Sequence, residues 1–126
     1  MVRYMKIMVV EDEATSALIM TVFFNSIGYD IGNIAATGEE AFTRSLNEKP
    51  DLICMDIQLA GKIDGIEAAE TILKHNQNTY ILFITAYSDD QTIARAKKLN
   101  PIAYLLKPFD MNELKKIIES IKHKQQ

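Results

Sequence analysis

Apolar residues along this chain follow two alternating rhythms. Lys6 to Val10 is a short run rich in β-branched residues that ends in Glu11, Asp12 and Glu13, as a buried strand does when its C-terminal end opens onto polar chemistry. From Ser16 the spacing changes: Ile19, Met20, Phe23, Phe24 and Ile27 recur at helical intervals, and Gly28 supplies a C-terminal stop. Tyr29 to Ala36 reads as a second strand. Thr37, with Glu40 three residues on, is a plausible N-cap for a helix that Pro50 closes. The alternation then repeats three times. Asp51 to Met55, Tyr80 to Ile84 and Ile102 to Leu106 predict strands. Ile63 to His75, Ser88 to Leu99 and the stripe Leu114, Ile117, Ile118 and Ile121 predict helices, and Asp110 can cap the last.

Five βα units fill the 126 residues. Because the strands are apolar throughout, helices should cover both faces of a parallel sheet. Right-handed crossovers then favour an α/β, flavodoxin-like, doubly wound fold with five helices and five strands in the order 2-1-3-4-5. Sites in such a fold lie beyond the carboxyl ends of the strands. Residues 1–126 are the size of a single domain, and no repeat or Pro/Gly/Ser-rich linker divides them. The tail from His123 stops just after the fifth helix, so no output domain is expected.

Composition narrows the function. Apolar residues at 48% and charged residues at 25% are ordinary globular usage, so the chain should fold unaided. A net charge of -3 argues against direct nucleic-acid binding, which would need a basic face. Cys54, the one cysteine, lies in the apolar run Leu52 to Met55 and excludes an intrachain disulfide; a buried, inert thiol is expected. Neither a signal-peptide pattern nor an apolar run of spanning length follows Met1-Val2-Arg3, so no membrane contact and a cytoplasmic location are expected.

The chemistry concentrates where strands end. Glu11 and Asp12 follow the first predicted strand, Asp56 the third, Thr85 the fourth and Lys107 the fifth. In the expected topology these ends converge. Three carboxylates brought together repel one another unless a divalent cation or a shared proton offsets the charge. Magnesium takes oxygen ligands in octahedral geometry and keeps several waters, which suits Asp12, Asp56 and the Gln58 backbone carbonyl. With charge neutralised, an Asp56 oxygen can attack a phosphoryl group in line, with Lys107 and Thr85 holding the remaining oxygens.

Glu11-Asp12, Met55-Asp56, Ile84-Thr85-Ala86 and Leu106-Lys107-Pro108-Phe109 resemble the response-regulator receiver family of two-component signalling in order and spacing. The functional positions stand 44, 29 and 22 residues apart (12 to 56, 56 to 85, 85 to 107), each at a strand end, and the resemblance covers essentially the whole chain. It implies that Asp56 is the phospho-acceptor, that Glu11 and Asp12 shape a Mg2+ site, that Thr85 donates to the phosphoryl group and that Lys107 pairs with it. It further implies Tyr104 as the switch aromatic and a cis Lys107–Pro108 peptide. The loop from Gln58 to Gly65 departs from the family, with Ala60 where proline is common and one residue more than the shortest version. Glu11 replaces the commoner aspartate of the acidic pair.

The expected function is a phospho-acceptor switch, not an enzyme beyond its own phosphoryl transfer and autodephosphorylation. A phosphoryl group adds roughly −1.5 to −2 charges and could draw in Thr85 and Lys107, letting Tyr104 turn and alter the face of the fourth and fifth helices. Expected partners are a histidine kinase or histidine phosphotransfer protein and a downstream protein target, the chain being a monomer or a phosphorylation-dependent dimer. Leu18 and Val22, one turn apart on the first helix, are either a docking patch for the histidine-bearing donor or ordinary apolar positions. Gln58 and Tyr87 flank the acceptor and could set hydrolysis rate instead.

Three other functions compete. A small phosphohydrolase using an aspartyl phosphate usually has a second acid two residues after the nucleophile, where this chain has Gln58. A nonphosphorylated interaction module would not need Asp56, Thr85 and Lys107 together. Flavin binding lacks a phosphate-cradling loop after the first strand. His75 and His123 read as solvated or dipole partners, and Lys115, Lys116, Lys122 and Lys124 as a solvated basic face.

Overall fold

The computed structural model describes residues 5–125, with side chains up to Ile121, so the expectations on Met1-Val2-Arg3, Lys122, His123 and Lys124 lie outside the described side chains. Four strands, β1 (Ile7–Val10), β2 (Leu52–Met55), β3 (Tyr80–Thr85) and β4 (Ala103–Leu106), pair in parallel in the order β1-β2-β3-β4. Five helices connect them: α1 (Ala14–Ser26), α2 (Gly38–Glu48), α3 (Gly65–His75), α4 (Asp90–Lys97) and α5 (Met111–Gln125).

The expected five-stranded sheet is corrected to four strands. Tyr29 to Ala36 has the apolar content of a strand, but the Asp30 carboxylate accepts the Gly32 N–H at 2.9 Å and Gly32 takes a φ of +64°, which turns the backbone out of the ladder. Only Ala35 rejoins it, bridging Val10 on the side of β1 away from β2: its N–H donates to the Val9 carbonyl at 3.0 Å and its carbonyl accepts from Glu11 at 2.8 Å. The strand is replaced by a single bridge at the position where the order 2-1-3-4-5 would put it.

Strand periodicity divides the core. Ile7, Val9, Leu52, Cys54, Leu82, Ile84 and Leu105 face α1 and α5, where Met20, Phe23, Phe24, Leu114, Ile118 and Ile121 complete one cluster. Met8, Val10, Ile53, Met55, Ile81 and Phe83 face the other way onto Ala41, Ile66, Ala68, Ala69, Ile72 and Ala96 of α2, α3 and α4. Both faces are covered, as apolar parallel strands require. Helix ends follow the residues that signalled them. Gly28 closes α1 at φ +91°, its N–H on the Asn25 carbonyl and that of Tyr29 on Phe24, the paired bonds that satisfy a helix's last carbonyls. Thr37 accepts the Glu40 N–H at 3.0 Å, and the Asp110 carboxylate accepts that of Asn112 at 2.8 Å.

Helix α1 departs from the amphipathic norm. Its sequence ATSALIMTVFFNS holds no charged residue, and while Met20, Phe23 and Phe24 are buried, Leu18, Ile19 and Val22 are exposed, Leu18 by 63%. No helix among the described residues is long and apolar enough to cross a membrane.

Candidate phosphoryl-acceptor site

Sheet register brings the expected residues together. Val10 is level with Met55, so the next residues, Glu11 and Asp56, emerge side by side, and Lys107 follows β4 at the same carboxyl edge, one strand beyond β3. Asp56 extends the ladder by donating its N–H to the Val10 carbonyl at 3.0 Å, and Lys107 does the same to Thr85 at 2.8 Å. Each functional side chain is therefore set by a backbone already fixed in the sheet. The Lys107–Pro108 peptide is cis, as the resemblance implies.

Asp56 is 8% exposed and anchored at both oxygens: Oδ1 accepts the Ile57 N–H at 2.7 Å, and Oδ2 accepts from Lys107 Nζ at 2.9 Å. The same ammonium donates to Glu11 Oε1 at 2.5 Å and reaches Ser16 Oγ at 3.5 Å. Glu11 is 5% exposed, and its second oxygen accepts the Glu13 N–H at 3.2 Å. One oxygen each from Glu11, Asp12 and Asp56 lies within 4.8 Å of the others. Two buried carboxylates thus share one ammonium, with the exposed Asp12 carboxylate close beside them.

The electrostatics follow from that imbalance. Burial raises the Glu11 carboxyl above its ordinary range; the Lys107 bond opposes this, and the neighbouring Asp56 charge reinforces it. Burial alone would push the Lys107 ammonium down, but its bonds to Glu11 and Asp56 prevail and hold it above the ordinary lysine value.

Thr85 is fully buried, with Oγ1 accepting the Tyr87 N–H at 3.3 Å. Tyr104 is half-buried; its hydroxyl donates to the Tyr87 carbonyl at 2.8 Å and its ring lies 6.2 Å from that of Phe83. Asp12, Asp56, Gln58, Thr85, Tyr87 and Lys107 line one open cleft of about 550 Å³ together with Glu13, Ser16 and Ala86. The expected site residues meet at this cleft except Glu11, which adjoins it through its bond to Lys107, and Tyr104, which is one hydrogen bond away from it. Sequence reasoning missed Ser16; its place in the first turn after the acidic segment was the available signal.

On the other side of Asp56 the loop to α3 is closely held. The Gly65 N–H donates to the Ile57 carbonyl at 2.8 Å, and a Cβ at Gly65 would stand 2.0 Å from the Asp56 carbonyl oxygen. Asp64 caps α3, accepting the Glu67 N–H at 2.8 Å with Oδ1 and Arg95 of α4 at 3.0 Å with Oδ2.

The family model for the response regulator receiver domain matches residues 7–119. The chain belongs to the response regulator receiver domain family. Among curated relatives, this receiver domain is 30% identical to sporulation initiation phosphotransferase F of Bacillus subtilis, over 90% of each chain. It is 33% identical to the transcriptional regulatory protein PdtaR of Mycobacterium tuberculosis, matching 90% of its own length but 55% of that protein. Among solved structures, the signal receiver domain of a modulated diguanylate cyclase from Desulfovibrio desulfuricans is 36% identical with a TM-score of 0.87, covering 97% of this chain and 96% of that one. The CheX-CheY-BeF3-Mg+2 complex from Borrelia burgdorferi gives 25% identity and a TM-score of 0.84, over 93% and 88% of the respective chains. The receiver fold is flavodoxin-like, with a parallel sheet and five helices, and the family is that of two-component signalling.

Proposed function

We propose that this receiver domain is a phospho-acceptor switch in which Asp56 takes a phosphoryl group from a phosphohistidine donor. The observation that carries the reading is the pairing of a buried Asp56 carboxylate with Lys107 at 2.9 Å, in a cleft that also holds Asp12 and Thr85 and with Glu11 on the same ammonium. In the transfer, one Asp56 oxygen forms the new O–P bond as the donor's N–P bond breaks, and the electron pair of that bond stays on the imidazole, which takes up a proton. Lys107 neutralises the phosphoryl oxygens, and Thr85, whose hydroxyl is committed only as an acceptor from Tyr87, has its proton free to donate to them.

The donor set fits Mg2+: three carboxylate oxygens within 4.8 Å are hard ligands of the type this ion takes, and Glu11, Asp12, Asp56 and the Gln58 carbonyl would hold it. Bound there, the ion would offset the negative charge of carboxylates and phosphoryl group. Beyond its own phosphoryl transfer and autodephosphorylation the domain needs no enzymatic activity.

Transmission runs through Tyr87. A Thr85 drawn toward the phosphoryl group releases the Tyr87 N–H, whose residue also holds the Tyr104 hydroxyl, so the change reaches β4 and the adjoining helices. A downstream protein would read that face. Leu18 and Val22 are exposed, so α1 offers an apolar surface to a histidine kinase or phosphotransfer protein. Two or more charge-assisted bonds at about 1.5–3 kcal/mol each approach the roughly 5.5 kcal/mol that a near-complete switch requires.

Intact mass after incubation with acetyl phosphate tests the reading. A gain of one phosphoryl group that needs both Mg2+ and Asp56, and is lost in Asp56→Ala, is the expected result. No gain in folded protein would favour the nonphosphorylated interaction module.

A further inference from the structure

Glu39, in the first turn of α2, reaches across 23 residues of sequence to the loop that follows Asp56. Its Oε2 accepts the Lys62 N–H at 3.1 Å, a bond that also lowers the Glu39 carboxyl below its ordinary range. The loop is shaped to receive it. Gly61 has a φ of +98°, and a Cβ there would stand 2.9 and 3.0 Å from the two Glu39 oxygens, so a side chain would be strained and would crowd the carboxylate. On either side of this contact Thr37 bridges Ala60, and Gly38 packs so closely on Ile63 that a Cβ would come within 2.8 Å. The Ile57 carbonyl is already fixed by Gly65. Between these anchors only Gln58 and Leu59 are left, and Gln58 lines the acceptor cleft.

We propose that Glu39 is a positioning residue that holds the loop after Asp56 so that the Gln58 carbonyl faces the metal site. This rests on the phospho-acceptor reading and assigns to α2 a part in it. Glu39 touches neither phosphoryl group nor ion; it acts by restricting the two free residues between fixed points, which is preorganisation of a ligand.

Calorimetric titration of Mg2+ into the unphosphorylated protein, with amide hydrogen exchange on the metal-free protein, tests it. Glu39→Ala should weaken Mg2+ binding roughly threefold to tenfold, the net scale of one ordinary intramolecular hydrogen bond, and speed exchange at Lys62. Glu39→Gln, which keeps an oxygen for Lys62, should retain most of the affinity, and Glu70→Ala, which removes an exposed acid of α3, should change nothing. Glu39→Ala binding within twofold of the natural chain would overturn the inference and leave the acceptor reading standing. Glu39→Gln falling as far as Glu39→Ala would also overturn it, since charge alone would then be responsible. A natural chain that binds no Mg2+ would overturn both.

Discussion

The Lys107 ammonium donates to Asp56 at 2.9 Å and to Glu11 at 2.5 Å, so one cation is shared between two buried carboxylates that belong to different strand ends. Its folded pKa is raised, so the stabilisation is fully present below the unfolded lysine value of about 10.4 and lost as pH rises through the folded one. Lys107→Ala should lower the metal-free stability by about 1–3 kcal/mol at pH 7.5 in urea titrations, because two buried carboxylates lose their partner. That deficit should shrink above pH about 10.4. A deficit that stays constant up to pH 11 would show that the stability comes from packing of the lysine stem.

Glu11 has the opposite sign. Its pKa is raised mainly by burial, so in the metal-free protein its ionised form costs stability, and that cost disappears as pH falls through the raised value. Glu11→Gln should therefore melt no lower than the natural chain at pH 7.5 and lose any advantage as pH falls toward the unfolded glutamate value of about 4.3. Mg2+ affinity should fall in the same variant, since a ligand charge is gone. Stability and metal binding moving down together would contradict the assignment of Glu11 as a strained acid.

Gly65 opens a helix, where alanine would ordinarily be preferred by about 0.5–1 kcal/mol. Here the added Cβ would meet the Asp56 carbonyl oxygen at 2.0 Å and Met55 Cγ at 2.9 Å, and the backbone atom cannot swing away. Gly65→Ala should destabilise by about 1–3 kcal/mol and slow acetyl phosphate labelling of Asp56, both measurable on one preparation. A stabilised variant would mean that the acceptor loop gives way freely.

Cys54 is 2% exposed, and burial pushes its thiol well above the ordinary range. Iodoacetamide at pH 8 should leave the native protein unmodified for hours and label it completely in 8 M urea. Rapid native labelling would place the thiol at a surface.

Much of this was legible in the sequence, for a physical reason. Buried parallel strands must be apolar, and a strand's end fixes where the next side chain points, so Glu11, Asp56 and Lys107 were found by reading one residue past each run. Tyr29, Ile31, Ile34 and Ala35 satisfy the apolar rule for a second strand, but the bond from the Gly32 N–H to the Asp30 carboxylate decides the outcome. Ser88 was placed in a helix that starts two residues later, because the Asp89 carboxylate caps it by accepting the Thr92 N–H at 3.0 Å. The contacts of Ser16, Glu39 and Arg95 join residues 91, 23 and 31 positions apart. No local pattern marks them; they follow only once the chain has folded.

The absence of charge on α1 sets how a partner would be met across it. Opposite charges accelerate encounter from a distance and weaken with salt, whereas Leu18, Ile19 and Val22 offer only contact and the release of water. Recognition on this helix would then be a matter of shape and dwell time: complexes would form at an unsteered rate of about 10⁵–10⁶ M⁻¹s⁻¹, with little change between low and physiological salt, and would differ from one another in how slowly they come apart.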